Sequence, residues 1–158
     1  MKLAVVSDTH GKVDLIVNAI KAEAKVGKII HLGDCTQDVR AIEEETDIEV
    51  ISVRGNCDML DVETPLERFF EIEGVRILAV HGHKYNVKYG HERIYYRALE
   101  LGANIVLYGH SHVVSIERAR GIYLINPGSP TLPRSSYGKS YIILEIDDGQ
   151  INTEIRKL

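Results

Sequence analysis

The sequence predicts a mixed α/β protein, with a two-layered β-sheet core flanked by helices. Two patterns predict this. The first half alternates short apolar runs with helical periodicity, and the second half is a succession of short strand-like runs divided by Gly, Asn and Pro. A third observation sets the scale: 158 residues, 44% hydrophobic and 27% charged, suffice to bury a sizeable core as a single domain over residues 1–158.

The elements follow in order. Residues 3–6 are an apolar run ending at Ser7-Asp8, after which Leu15, Ile16, Ala19, Ile20 and Ala22 recur at helical spacing, with Gly27 as the expected C-cap. Residues 29–32 repeat the strand pattern, 38–45 the helical one and 50–53 the strand again. Two successive strand-helix-strand units imply a parallel sheet with helices packed on it. Residues 69–72 and 75–80 flank Gly74 and read as an antiparallel hairpin. A helix is expected over 91–101, ended by Gly102. Short strands follow at 105–108, 113–118, 123–125 and 141–146, and Asp148-Gly149 fits a tight turn into a last strand at 150–155. Residues 127–138 form a long Pro-, Ser- and Gly-bearing loop, read as a mobile segment.

Bulk properties exclude several classes. The net charge of -4 disfavours non-specific nucleic-acid binding, which leans on clustered Lys and Arg. Residues 1–6 are too short for a signal-peptide apolar region, and no run reaches the roughly 18 apolar residues of a membrane span, so a cytoplasmic location is expected. Cys35 and Cys57 do not form a CxxC pair; they are expected as free thiols, with a disulfide left open, and two cysteines rule out a zinc finger.

Five segments carry the chemistry: Asp8-Thr9-His10, Gly33-Asp34, Gly55-Asn56-Cys57-Asp58, His81-Gly82-His83 and Gly109-His110-Ser111-His112. Each follows an apolar run. In open α/β sheets ligands collect beyond the carboxyl ends of strands, so five segments can deliver side chains to one place. Imidazole and carboxylate together suit Mn, Fe, Zn, Co or Ni rather than Ca or Mg. Asp34 can offer one oxygen to each of two ions. Taken singly, an Asp at a strand end is ordinarily a cap or turn residue and Gly-Asn an ordinary turn. The conjunction at five strand ends carries the inference.

The order D-x-H, G-D, G-N-C-D, H-G-H and G-H-S-H resembles the calcineurin-like metallophosphoesterase superfamily, in particular its small bacterial and archaeal phosphodiesterases. The resemblance runs from Asp8 to Asn126-Pro127-Gly128-Ser129. It implies a β-sandwich with helices outside, one metal ion held by Asp8, His10, Asp34 and His112, and a second held by Asp34, Asn56, His81 and His110. Mn is placed ahead of Ni, Fe, Co or Zn. The implied reaction is hydrolysis of a small phosphodiester by a hydroxide bridging the two ions, with no covalent intermediate.

In one respect the chain departs from the pattern, because Cys57 stands where many members have a histidine that helps the leaving group. A thiol, with a reference pKa of about 8.5, is a poorer acid near neutrality than imidazolium, so acidic leaving groups should be favoured. Asn56, Cys57 and Ser129 are candidate substrate contacts, with Asn126 and Arg134 behind them. Asp58 is read as a loop cap or as an orienting partner of His10. His31 is expected as a satisfied core side chain, His83 at the substrate or on the surface, and His91 as exposed. Tyr95, Tyr96 and Arg97 are read as packing and solvated surface. A phosphomonoesterase or nuclease would share the same site. A non-enzymatic protein-binding scaffold, like the retromer subunit that resembles this fold, is the third reading. Self-association is compatible with all of them.

Overall fold

The computed structural model describes residues 1–158. Its elements in chain order are β1 Lys2–Val6, α1 Asp14–Ala22, β2 Val26–His31, α2 Asp38–Thr46, β3 Val50–Ser52, β4 Glu67–Ile72 and β5 Val75–Val80. A short 3-10 turn at His83–Tyr85 precedes α3 Glu92–Leu101, β6 Ile105–Leu107, β7 Ser115–Ala119, β8 Ile122–Asn126, β9 Ser140–Asp147 and β10 Gln150–Lys157. No helix is long and apolar enough to cross a membrane.

The strands form two five-stranded sheets, ordered β10-β9-β1-β2-β3 and β4-β5-β6-β8-β7. Within the first, β1, β2 and β3 run parallel, and β9 joins β1 antiparallel with Leu3 opposite Leu144. Within the second, β5, β6 and β8 run parallel, with β4 and β7 antiparallel at the edges. The sandwich flanked by helices is therefore present as expected.

Side-chain alternation along the strands explains the layering. Leu3 and Val5 point between the sheets, where they meet Ile77, Ile105, Leu107, Ile142 and Leu144. Ala4 and Val6 point the other way, under Ile16 and Ile20 of α1 and Ile42 of α2. On the second sheet, Leu78, Val80 and Val106 lie under Ile94 and Ala98 of α3. Central strands buried on both faces read as near-continuous apolar runs rather than alternating ones, which is how 3–6, 29–32 and 77–80 stand out in the sequence, with His31 the one polar residue among them.

Two expected turns form as read. Glu73-Gly74 and Asp148-Gly149 have φ of 47° and 77°, and 46° and 77°, the paired left-handed conformations of a tight hairpin. Gly102 caps α3 at φ 66°. Gly27, by contrast, lies inside β2 and caps nothing, because α1 already ends at Ala22 and Glu23 is extended. At that end the Glu23 carboxylate accepts from Lys2 Nζ at 2.8 Å and Arg156 Nε at 2.6 Å, a charged tie to the sheet in place of a glycine cap. Likewise β7 starts at Ser115 rather than at 113, where its pairing with Asn126 of β8 begins.

Candidate metal centre

The candidate ligands sit just past the carboxyl ends of parallel strands: Asp8 and His10 after β1, Asp34 after β2, Asn56 after β3, His81 after β5, and His110 and His112 after β6. Five of them depart from ordinary backbone geometry. Asp8, His10, Asp34, His110 and His112 have φ of 57°, 48°, 57°, 64° and 57°. Each such non-glycine position costs on the order of 1 kcal/mol and persists only where surrounding contacts hold it.

Those contacts are visible. Asp58 accepts four backbone N–H donors through its carboxylate: Cys35 and Thr36 at 2.7 and 2.8 Å, and Asp34 and Gly55 at 2.9 and 2.7 Å. It is a loop cap that fixes Asp34, and its contacts do not extend to His10. A second device joins Thr9, His31 and Asp38. Gly33 N–H donates to His31 Nδ1 at 3.3 Å, which leaves His31 Nε2–H to donate to Thr9 Oγ1 at 3.1 Å, and Thr9 donates to Asp38 Oδ2 at 2.6 Å. This order requires neutral imidazole, and burial lowers the His31 pKa to about 4. His31 is thus the satisfied core side chain expected of it. Its partners Thr9 and Asp38 are site-supporting residues that the sequence alone did not reveal.

Glycines bring backbones close to the carboxylates. A Cβ at Gly109 would lie 2.8 Å from Asp8 Oδ2 and overlap Ser7 Oγ, and one at Gly55 would lie 2.6 Å from Asp34 N and overlap Asp34 Oδ1. Neither space admits a side chain.

The ligand atoms converge. Asp8, His10 and His112 form one group with all ligand atoms within 4.8 Å, Asp34, His81 and His110 form a second, and His10, Asp34 and Cys57 link the two. His112 Nε2 lies 3.1 Å from Asp8 Oδ1, and His81 Nε2 lies 3.4 Å from Asp34 Oδ1. Both imidazoles are aimed from behind: His81 Nδ1–H donates to Leu32 O and His112 Nδ1–H to Leu132 O, each at 2.7 Å. This leaves each Nε2 facing the centre, as in protein metal sites. Asp8 Oδ2 accepts from Ser7 Oγ at 2.6 Å and His110 N at 3.1 Å, yet Asp8 Oδ1 and His81 Nε2 are buried with no aligned hydrogen bond, only the close approaches of His112 Nε2 and Asp34 Oδ1. A buried acceptor left without one is costly, and a cation held between these atoms would satisfy both. The donor set therefore fits divalent ions.

The electrostatics agree. Burial pushes the Asp8 and Asp34 carboxyls up, but the neighbouring histidines outweigh it and hold both below the ordinary carboxylate range. Burial opposes charge on His81, yet Asp34 and Asp8 outweigh it and raise its pKa, and His112 is raised by Asp8. His110, half-buried and beside His81, is lowered to about 4 by desolvation and then by His81. Burial and then Asp34 push the Cys57 thiol up to about 12. Two ionised carboxylates drawing protons onto adjacent imidazoles mark a site that attracts positive charge.

Asn56 is exposed, with its amide nitrogen 3.5 Å from Cys57 Sγ, next to the convergent group. Cys57 itself donates from Sγ to Asp34 Oδ2 at 3.2 Å and from its backbone N to Oδ1 at 2.9 Å. Cys35 and Cys57 are free thiols. Ser129 corrects its reading as a substrate contact. It is fully buried, and its hydroxyl donates to the Asp8 carbonyl at 2.8 Å, which with the Arg134 N–H to His112 O bond anchors the first half of the 127–138 loop to the centre. Asn126 is also structural, donating to Gly109 O and Ser111 Oγ. His83 is half-buried with its ring 5.5 Å from that of His81, beside the centre rather than on the open surface. His91, read as exposed, is engaged by Tyr108 OH at 3.0 Å and Glu117 at 3.4 Å.

Comparison with known proteins bears on this arrangement directly. A family model for the calcineurin-like phosphoesterase superfamily domain matches residues 1–149. The probable metallophosphoesterase YsnB of Bacillus subtilis is 37% identical, over 94% of this chain and 86% of its own. A probable metallophosphoesterase of Methanothermobacter thermautotrophicus is 38% identical over 98% and 91%. The phosphodiesterase YfcE of Escherichia coli is 27% identical over 93% and 89%. Among solved structures, a predicted phosphoesterase of Streptococcus pneumoniae superposes with a TM-score of 0.82 at 29% identity, covering 98% of this chain and 87% of that one. Vps29 of Entamoeba histolytica, solved with Zn2+, shares the fold at a TM-score of 0.80 and 21% identity, over 99% and 98%. With its five motifs, its convergent ligands and a match over nearly its whole length, the chain belongs to the calcineurin-like phosphoesterase superfamily.

Proposed function

We propose that the protein is a phosphodiesterase that hydrolyses a small phosphodiester with two divalent metal ions, Mn2+ foremost. The observation that carries the proposal is the convergent set of carboxylates and imidazoles, in which Asp8 Oδ1 and His81 Nε2 are buried with no aligned hydrogen bond. Asp8, His10, Asp34 and His112 would hold one ion, and Asp34, Asn56, His81 and His110 the other, with Asp34 shared. When bound, the ions supply Lewis acidity toward the phosphate and lower the pKa of water enough for attack near neutral pH.

The chain's own residues prepare that chemistry. Ser7, the His110 N–H and the Asp58-bound loop hold the carboxylates, and the Leu32 and Leu132 carbonyls hold the imidazoles, so little reorganisation is needed on reaction. Against four positive charges Asp8 and Asp34 set two negative ones, so the loaded site attracts a phosphate in a protein of net charge -4. The Cys57 thiol donates to Asp34 Oδ2 and its backbone N–H to Oδ1, so this residue orients a ligand. No imidazolium stands at its position to protonate an alkoxide, so diesters with acidic leaving groups should react fastest.

The phosphodiesterase name of the E. coli relative supports the diester over the monoester. The fold by itself decides nothing, because it is shared with Vps29, and the argument rests on the intact ligand set. The test is hydrolysis of bis(p-nitrophenyl) phosphate by chelator-stripped protein before and after Mn2+, with p-nitrophenyl phosphate alongside. Metal-dependent turnover that favours the diester is expected. Turnover of the monoester alone would reassign the enzyme, and silence toward both with Mn2+, Ni2+, Co2+ and Zn2+ would overturn the proposal.

A further inference from the structure

Beside the metal ligands lies an open cavity of about 550 Å³, a volume within the range of small-molecule sites. Cys35, Cys57, Met59 and Leu60 give it an apolar and sulfur-rich lining, with Asp58 and Asp61 among its polar residues. It is continuous with the metal centre, because Cys57 both lines the cavity and donates to Asp34. Met59 and Leu60 are 82% and 98% exposed there, an unusual setting for two adjacent large apolar residues.

They are held out by a built loop. Asp61 Oδ2 accepts from Thr36 Oγ1 at 2.6 Å, Asp61 Oδ1 accepts from the Thr64 N–H at 2.9 Å, and Arg54 Nη1 donates to the Asp61 carbonyl at 2.6 Å. Asp58 is spent on four backbone donors, as described above. These bonds pin the backbone at Asp58 and Asp61, on either side of Met59 and Leu60. The lining contains no Lys, Arg or His, and its two carboxylates repel further anionic groups. A second phosphate or a polyphosphate chain is a poor occupant, whereas a neutral flat ring meets thioether, thiol and aliphatic surface.

Resting on the phosphodiesterase reading, we propose that Met59 and Leu60 form a shelf for a neutral aromatic ester arm of the substrate and thereby determine which diesters are bound. The ring belongs to an aryl ester or a nucleobase, and the test distinguishes them. Methyl phosphate, phenyl phosphate and thymidine 5′-monophosphate are compared as competitive inhibitors of bis(p-nitrophenyl) phosphate hydrolysis by the Mn2+-loaded full-length chain. At least one aromatic monoester should bind about tenfold more tightly than methyl phosphate, the gain expected from covering part of a ring with apolar side chains. Which of the two gains more names the ring.

In the Met59→Ser/Leu60→Ser variant that preference should shrink to within about twofold while methyl phosphate inhibits as before. A Met59→Leu/Leu60→Met variant should keep it, and matched thermal melts exclude misfolding of either. An unchanged preference in the serine variant overturns the shelf alone, as does a loss that weakens methyl phosphate equally, which would point to loop geometry. A sedimenting mass that halves in the serine variant, with the preference intact, would assign the face to a second copy of the chain and overturn the shelf. If the wild-type chain turns over no diester with metal, the phosphodiesterase reading fails and this inference with it.

Discussion

Asp34 joins the two ligand groups at a backbone φ of 57°, a conformation that asparagine tolerates as well as aspartate. Asp34→Asn is therefore expected to fold normally and to lose metal-dependent diester turnover by a factor on the order of 10³, since it would remove one of the two carboxylate charges proposed to hold the ions. Turnover within tenfold of the parent would take Asp34 out of the shared position. Asp58 has the opposite character. Its carboxylate touches no candidate ligand side chain but closes four backbone N–H groups, so Asp58→Ala orphans buried donors and should cost about 2–4 kcal/mol, read as a fall of roughly 6–12 °C in Tm. The two residues differ in legibility for the same reason. Asp34 could be read as a ligand from its place after an apolar run among four similar segments. Asp58 could not be sorted between cap and ligand partner, because its role depends on donors 22 to 24 residues earlier. The Thr9–His31–Asp38 relay was hidden likewise, its members 22 and 29 residues apart in sequence.

At the scale of elements, the strand-end loops work only if backbones pass close to carboxylates. Gly109→Ala places a methyl group against Asp8 Oδ2 and Ser7 Oγ, so Asp8 must shift. The expected outcome is weakened metal affinity, by about 10- to 100-fold as for lost supporting contacts around a metal, measured by Mn2+ titration. Affinity unchanged within twofold would mean the loop yields instead of the ligand. The ends of helices show where reading by pattern fails. Gly102 follows an uninterrupted periodic stretch and was legible as a cap, but α1 is closed by Glu23, whose partners Lys2 and Arg156 lie on two strands far apart in sequence. That ion pairing makes a pH prediction. The Lys2 ammonium and Arg156 guanidinium hold the Glu23 pKa at about 2, below its ordinary 4.5. A depressed carboxyl pKa means stability that is full above about pH 4.5 and drains away as pH falls toward 2. Glu23→Gln should thus cost about 1–3 kcal/mol at pH 7, with the gap to the parent closing between pH 4.5 and 2 in urea melts. A gap that stays constant across that window would deny the ion pairs their role.

Over the whole molecule, periodicity identified the strands and the reversal at Gly74, yet it could not say which sheet each strand joins. Strand β9 returns to pair with β1, Leu3 opposite Leu144, and nothing in an apolar run names so distant a partner. The division matters because the ligands are shared between the sheets: Asp8, His10 and Asp34 come from the first, and His81, His110 and His112 from the second. Ions held among them would tie the two layers of the sandwich together at one edge, and no unfolded chain keeps that arrangement. Binding to the folded state alone adds about 2.7 kcal/mol at one hundred times Kd, so Mn2+ should raise Tm of the chelator-stripped protein by roughly 5–10 °C, reversibly on adding chelator. Ca2+ at the same concentration should do less, because imidazole is a poor ligand for it. The rise should shrink in His81→Ala, which removes a ligand of one ion, and nearly vanish in Asp34→Asn, which weakens both, one variant from each sheet. If it survives in both, the ions bind elsewhere on the surface, and the buried Asp8 and His81 atoms need another partner.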